Sequence, residues 1–333
     1  MITTANPLRR FHSRKDEILS AINRVLESGE YILGREVKSF EKEFAEWLGI
    51  SYAVGVGNAT DALEISLRAL GIEKGDEVIT VSHTATATIA AIIAAGAIPV
   101  MIDIDEETFT MNPELIEEAI TERTRAVIPV HLYGHPADMN AICRIAREKN
   151  LKIIEDASQA HGAKINERLA GTIGEIGVFS FYPTKNIASF GDAGMLVTDN
   201  PELAKRIEEI RQYGWSSSRI SMSFGRNSRM DELHAAILRV MLSHFEEDNS
   251  HRQAIAKFYL DALKSLPLKL PKVNAEIQHA WHLYHLHPAF KQFMRAQLPV
   301  TEKIANEILS LPIDSSMHDS EVEKVAELIS RFF

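Results

Sequence analysis

Hydrophobic residues are spaced in two ways along this 333-residue chain. Over the first fifty positions they recur every three or four residues, the period of a helix with one buried face. Ser13 to Ser28 is predicted as such a helix, with Ser13 and Asp16 placed as a capping box and Gly29 as its stop. Val37 to Leu48 is predicted as a second, with Phe40, Phe44 and Trp47/Leu48 on one face and Gly49 after it. From Tyr52 onward short apolar runs alternate with helical ones. Strands are predicted over Tyr52 to Val56, Glu77 to Val81, Ile98 to Ile104, Ala126 to Val130, Leu151 to Glu155, Ile176 to Phe181 and Met195 to Thr198. Helices are predicted over Ala59 to Leu70, Thr86 to Ala95 and Asp138 to Lys149. Asn112-Pro113 and Asn200-Pro201 open two more, with proline at the first helical position. Such alternation predicts an α/β protein with a mostly parallel central sheet flanked by helices. After about Met230 the strands fade into helices over Asp231 to Phe245, His251 to Leu266, Val300 to Leu309 and Asp319 to Phe333. A large domain over residues 1–240 and a smaller one over 241–333 are therefore expected.

Composition narrows the class. The chain is 45% hydrophobic and 25% charged, ordinary for a soluble globular protein. Its net charge of -10 and the lack of a long basic run argue against nucleic-acid binding. Cys143 is the only cysteine, so no intrachain disulfide and no CxxC metal site can form, and its helical setting reads as core filling. Met1 to Arg14 lacks the apolar core of a signal peptide. Ile89 to Val100 is too short to span a bilayer and contains Gly96 and Pro99. A cytoplasmic protein with no membrane partner is expected.

Candidate chemistry gathers at predicted strand ends, where open α/β sheets bind ligands. Val178 to Phe181 is broken by Pro183, and Lys185 follows. A lysine held there in a partly desolvated site becomes a nucleophile able to form a Schiff base. Taken alone it reads better as a lysine in a surface turn. Gly55-Val56-Gly57-Asn58-Ala59-Thr60 joins a strand to a helix N-terminus, a ready anion site to which Asn58 and Thr60 can add donors. Thr60 stands where a dinucleotide fingerprint wants glycine, so a single phosphate is expected, or simply a capped helix. Asp156 ends a buried strand and needs a cationic or hydrogen-bonding partner, such as a protonated pyridine nitrogen. Ser180 could bind phosphate, and the Phe224 to Glu232 stretch is a further candidate anion contact. His279, His282, His285 and His287 cluster without a cysteine or paired carboxylate and read as packing residues rather than metal ligands. Asp103 and Asp105 read as solvated loop acids.

Together these residues resemble the DegT/DnrJ/EryC1/StrS family of sugar aminotransferases, of fold type I. The most specific pieces are Ser180-Phe-Tyr-Pro-Thr-Lys185-Asn, Glu155-Asp-Ala-Ser-Gln-Ala-His-Gly162, Gly57-Asn-Ala-Thr-Asp-Ala-Leu63, His131-Leu-Tyr-Gly-His-Pro-Ala-Asp138 and Asn227-Ser-Arg-Met-Asp231. The resemblance implies that Lys185 holds pyridoxal phosphate covalently and shuttles the proton, and that Asp156 pairs with the ring nitrogen. It implies that Gln159 bonds the ring hydroxyl and that Asn58, Ala59, Thr60 and Ser180 line the phosphate. Asn227 would reach the cofactor of a neighbouring subunit in a homodimer. Glutamate would donate the amino group and a nucleotide-linked keto-sugar would receive it. Ala85 departs from the family, which often has an aromatic residue there to stack on the ring. After Trp281-His-Leu-Tyr284 the family continues through a β-α-β segment that helps close the site. Here His285-Leu-His-Pro-Ala-Phe290 follows directly, so the C-terminal α/β domain is expected to be shortened near 284–285. A PLP-binding homologue with impaired catalysis or a regulatory role is the alternative. A nicotinamide-dependent oxidoreductase is more remote, since it has no use for Lys185.

Overall fold

The computed structural model describes residues 2–216, 218–272, 275–282 and 298–332. The junction at 284–285 and His285 and His287 lie outside them.

The apolar runs form strands close to where their pattern puts them. These are β1 (Tyr52–Val56), β2 (Glu77–Val81), β3 (Ile98–Ile102), β4 (Thr124–Ile128) and β5 (Lys152–Asp156). Two short strands follow, β6 (Lys164–Ile165) and β7 (Arg168–Leu169), then β8 (Ile176–Ser180), β9 (Gly194–Thr198) and β10 (Ile277–Gln278). A seven-stranded sheet has the order β1-β9-β8-β5-β4-β2-β3. β9 runs antiparallel to both neighbours, β1 and β8, and the other pairings are parallel. The carboxyl ends of six strands therefore share one edge with the start of β9. Every residue of β2, β8 and β9 is buried, as a sheet covered on both faces requires. β10 pairs with β6 in a separate three-stranded antiparallel sheet.

Helices cover the sheet. Ala59–Ala69 and Thr86–Ala94 pack with Val78, Ala126, Val178 and Leu196 in one apolar cluster. Arg35–Leu48 brings Phe40 and Phe44 against Phe179 and Phe181 with T-shaped ring contacts. Beyond residue 240, Phe245–Leu263 packs with Asp319–Phe332 through Ile255, Tyr259, Leu263, Val322 and Val325. β10 is the only strand past that point among the described residues.

Two expectations are corrected. The first helix does not start at Ser13: Pro7–Ser13 and Lys15–Ser28 are separate helices. Ser13 donates its hydroxyl to the Arg10 carbonyl instead of capping, because it closes the earlier helix. Asp103 is not solvated but buried. It accepts from the Val300 and Thr301 amides at 2.9 Å and from the Thr301 hydroxyl, capping the helix Pro299–Glu307. Asp103→Ala leaves these donors unmet and is expected to destabilise the protein by about 2 kcal/mol, read by urea unfolding.

Candidate active site

The strand ends bring most of the expected residues to one edge. Val56, Gly194 and Ser180 sit side by side, since Val56 is opposite Gly194 and Gly194 opposite Ser180. A Cβ at Gly194 would lie 2.5 Å from the Asn58 carbonyl carbon and 2.7 Å from the Ala59 nitrogen. Glycine is required because the chain leaving β1 crosses directly over the start of β9. That crossing sets the N-terminus of the helix Ala59–Ala69 beside Ser180. Asn58 Oδ1 caps the helix by accepting from the Asp61 amide at 2.8 Å. Gly57 N–H donates to Ser228 Oγ at 3.1 Å, and Ser228 donates to Asp61. The Ala59 and Thr60 amides are left without an acceptor among the described residues, a cradle suited to an anion.

Asp156 ends β5 and is buried. Its Oδ2 accepts from Thr88 Oγ1 at 2.9 Å, and its Oδ1 from the Ser158 amide at 3.2 Å. Beside it, Glu155 is fully buried and accepts from the Gly171, Ile173 and Gly174 amides and from His131 Nε2. His131 Nδ1 accepts from the Ala137 amide, so its Nε2 carries the proton that bonds Glu155. These bonds hold Glu155 below the usual carboxylate range against the cost of burial. The His131 amide donates to the Asp156 carbonyl at 3.0 Å, which ties this support to the site.

Gln159 is oriented by Tyr133. The Tyr133 amide donates to Gln159 Oε1 at 2.8 Å, so the Gln159 NH₂ is the face left to donate to a ligand. Tyr133 has a φ of 61° inside the turn Leu132–Gly134, a left-handed conformation unusual for an aromatic residue. Its hydroxyl is 2.8 Å from His83 Nε2. Burial pushes His83 down to about 4 and keeps it neutral, with Asp103 pulling the other way.

Lys185 closes a turn after β8, its amide donating to the Tyr182 carbonyl at 2.8 Å. Burial pushes its ammonium down to about 8, and Asp156 opposes that shift. Relative to a free lysine, the neutral amine at pH 7 is enriched by about a few hundredfold. His161 is fully buried against Phe179 and Phe181, and burial and the Lys185 charge hold it neutral, at about 3. Lys185 is thus a nucleophile with one carboxylate to balance it.

Other candidates make no side-chain bond to Lys185, Asp156 or Gln159 among the described contacts. Asn227 is exposed. Ala85 is exposed at the N-cap of Thr86–Ala94 and makes no side-chain cap bond. His279 is stacked on Trp281 at 4.0 Å, and His282 Nδ1 bonds Asn186. Among the described residues no group of three or more ligand side chains could hold a metal ion. Nor is any described helix long and apolar enough to cross a membrane. The sequence reading missed Thr88, Tyr133 and His83. Thr88 carries a faint signal, in the first turn of a helix that follows a strand end. Nothing in the pattern indicates that the Tyr133 backbone orients Gln159.

Comparison with known proteins gives the chain's family. The DegT/DnrJ/EryC1/StrS aminotransferase family profile matches residues 12–287 and 283–330. A dTDP-3-amino-3,6-dideoxy-alpha-D-galactopyranose transaminase of Aneurinibacillus thermoaerophilus is 42% identical over 355 aligned residues, covering 98% of each chain. The crystal structure of DesV from Streptomyces venezuelae, in complex with a ketimine intermediate, superposes with a TM-score of 0.95 at 39% identity. It covers 99% of this chain and 98% of that one. The Bacillus subtilis ntda structure with bound cofactor pmp gives a TM-score of 0.88 at 32% identity, over 96% and 82%. Such coverage by the family profile and by relatives at this identity, on a sheet of matching fold, leaves one assignment: the chain belongs to the DegT/DnrJ/EryC1/StrS aminotransferase family.

Proposed function

We propose that this transaminase uses pyridoxal phosphate to move an amino group from L-glutamate to a nucleotide-linked keto-sugar. The carrying observation is the convergence of Lys185, Asp156, Gln159, Ser180 and the free Ala59 and Thr60 amides at one sheet edge. The residues fit the cofactor. An anion cradle, an oriented amide donor, a buried carboxylate and a nucleophilic amine are the groups that would hold its phosphate, ring oxygen, ring nitrogen and aldehyde. When bound, the cofactor supplies an aldehyde and a protonated ring that accepts electrons.

Each residue has a part. The Ala59 and Thr60 amides and the Ser180 hydroxyl would hold the phosphate. Asn58 acts by capping the helix that aims those amides. Asp156, steadied by Thr88 and the Ser158 amide, keeps the ring nitrogen protonated. The Gln159 NH₂ donates to the ring oxygen. Lys185 Nζ would be the amine that holds the cofactor and the base that carries the substrate proton. Gly194→Val would push the Asn58–Ala59 backbone off the sheet, because the atoms it meets are main chain. Affinity for pyridoxal phosphate is expected to fall by roughly 10-fold or more in a calorimetric titration.

Asn227 is exposed, which supports the reading that it completes the site of a second subunit in a homodimer. The identified relative points to a dTDP-linked sugar aminated at C3. The two-part family match, overlapping at residues 283–287, supports a shortened C-terminal domain. A cytoplasmic location suits an enzyme of nucleotide-sugar biosynthesis. Incubation with glutamate and a dTDP-linked 3-keto-sugar is expected to yield amino-sugar and 2-oxoglutarate in equal amounts. Cofactor binding without either product, across several nucleotide keto-sugars, would favour the impaired homologue instead.

A further inference from the structure

We propose that Arg10 is a positioning residue for Lys185, itself held by Asp314 from the opposite end of the chain. This rests on the reading of Lys185 as the cofactor anchor. Arg10 lies in the helix Pro7–Ser13 and is 2% exposed. Its Nη1 donates to the Lys185 carbonyl at 2.8 Å, and its Nη2 pairs with Asp314 Oδ2 at 3.1 Å. The Lys185 amide is already bonded to the Tyr182 carbonyl. The peptide groups on both sides of the Lys185 Cα are therefore pinned, and that fixes the direction in which the side chain leaves the backbone.

Asp314 serves two arginines. Arg252 stands 3.8 Å from it and donates through Nη1 to the Ile313 carbonyl at 2.6 Å. Asp314 also accepts from the Ser316 amide and hydroxyl and from the Asn6 amide. Three buried charges are a costly way to hold a core together, and apolar residues of similar volume often do so as well. The cost is explained if the Arg10 guanidinium has a task that an apolar side chain cannot perform. Donating to the carbonyl of the anchoring lysine is such a task. Arg252 shares Asp314 but has no bond to Lys185 among the described contacts, so the two arginines separate positioning from packing.

The test is amide hydrogen exchange on the purified full-length chain without added cofactor, followed in the 182–187 segment. Arg10→Met is expected to raise exchange there by roughly 10-fold. Arg252→Met should leave that segment unchanged while loosening the 313–316 region. Arg10→Lys, which keeps a cation opposite Asp314, should restore part of the protection. If Arg10→Met does not fold, Arg10→Lys against Arg252→Met is read in the same way, with a smaller rise expected in the first alone. Equal exchange at 182–187 in both arginine variants and the parent would overturn the proposal. Because no cofactor is present, that result is independent of whether the chain is a transaminase.

Discussion

Lys185→Ala is expected to abolish transamination, with turnover lowered by about 10⁴-fold or more. One substitution removes both the covalent anchor and the base, an amine that burial pushes down to about 8. The protein should remain folded. Alanine removes a desolvated amine and leaves both backbone bonds of residue 185 in place. It should also lose the absorbance that pyridoxal phosphate gains on bonding to the parent. In the parent, capture of the cofactor should speed up as pH rises and level off above about 8, because the neutral amine is the reactive form. A structural lysine would behave in the opposite way, with activity kept and the melting temperature lowered.

Asp156→Asn carries the second largest expected loss, roughly 10³-fold in turnover with covalent capture retained. Asparagine keeps an oxygen able to accept from Thr88 or the Ser158 amide, so the end of β5 should hold its shape. It cannot balance a protonated ring, and the ring then loses its power to draw off electrons. The substitution has a further sign that packing would not produce. The Asp156 charge raises the Lys185 ammonium against the effect of burial. Without that charge, the pH midpoint of cofactor capture should move below about 8. Stopped-flow absorbance across pH measures both values, and an unmoved midpoint would mean that the two groups do not communicate.

Much of this site was legible because its residues sit at the ends of unmistakable strands. Ile153-Ile154 and Val178-Phe179 are apolar runs that only a sheet buried on both faces explains, so Asp156 and Ser180 had to emerge at its edge. The Asn58 cap and the glycines before it marked the helix N-terminus in the same way. What the pattern hid was contact between distant segments. Arg10 and Asp314 lie 304 positions apart. Asp103 looked like a loop acid because the helix it caps begins 196 residues later, at Pro299. Ser13 was misread because a capping box and a helix end look alike when one helix follows another within two residues. β6, β7 and β10 have two residues each, too few for a period to register.

The claim on which the rest depends is that Lys185 bonds pyridoxal phosphate, and reductive trapping tests it most directly. The purified chain would be incubated with pyridoxal phosphate, reduced with borohydride, digested and mapped by mass spectrometry. The account requires one modification per chain, on the peptide containing Lys185, and its absence from Lys185→Ala. Trapping on a different lysine, or scattered trapping over surface lysines at the same level in parent and variant, would contradict it.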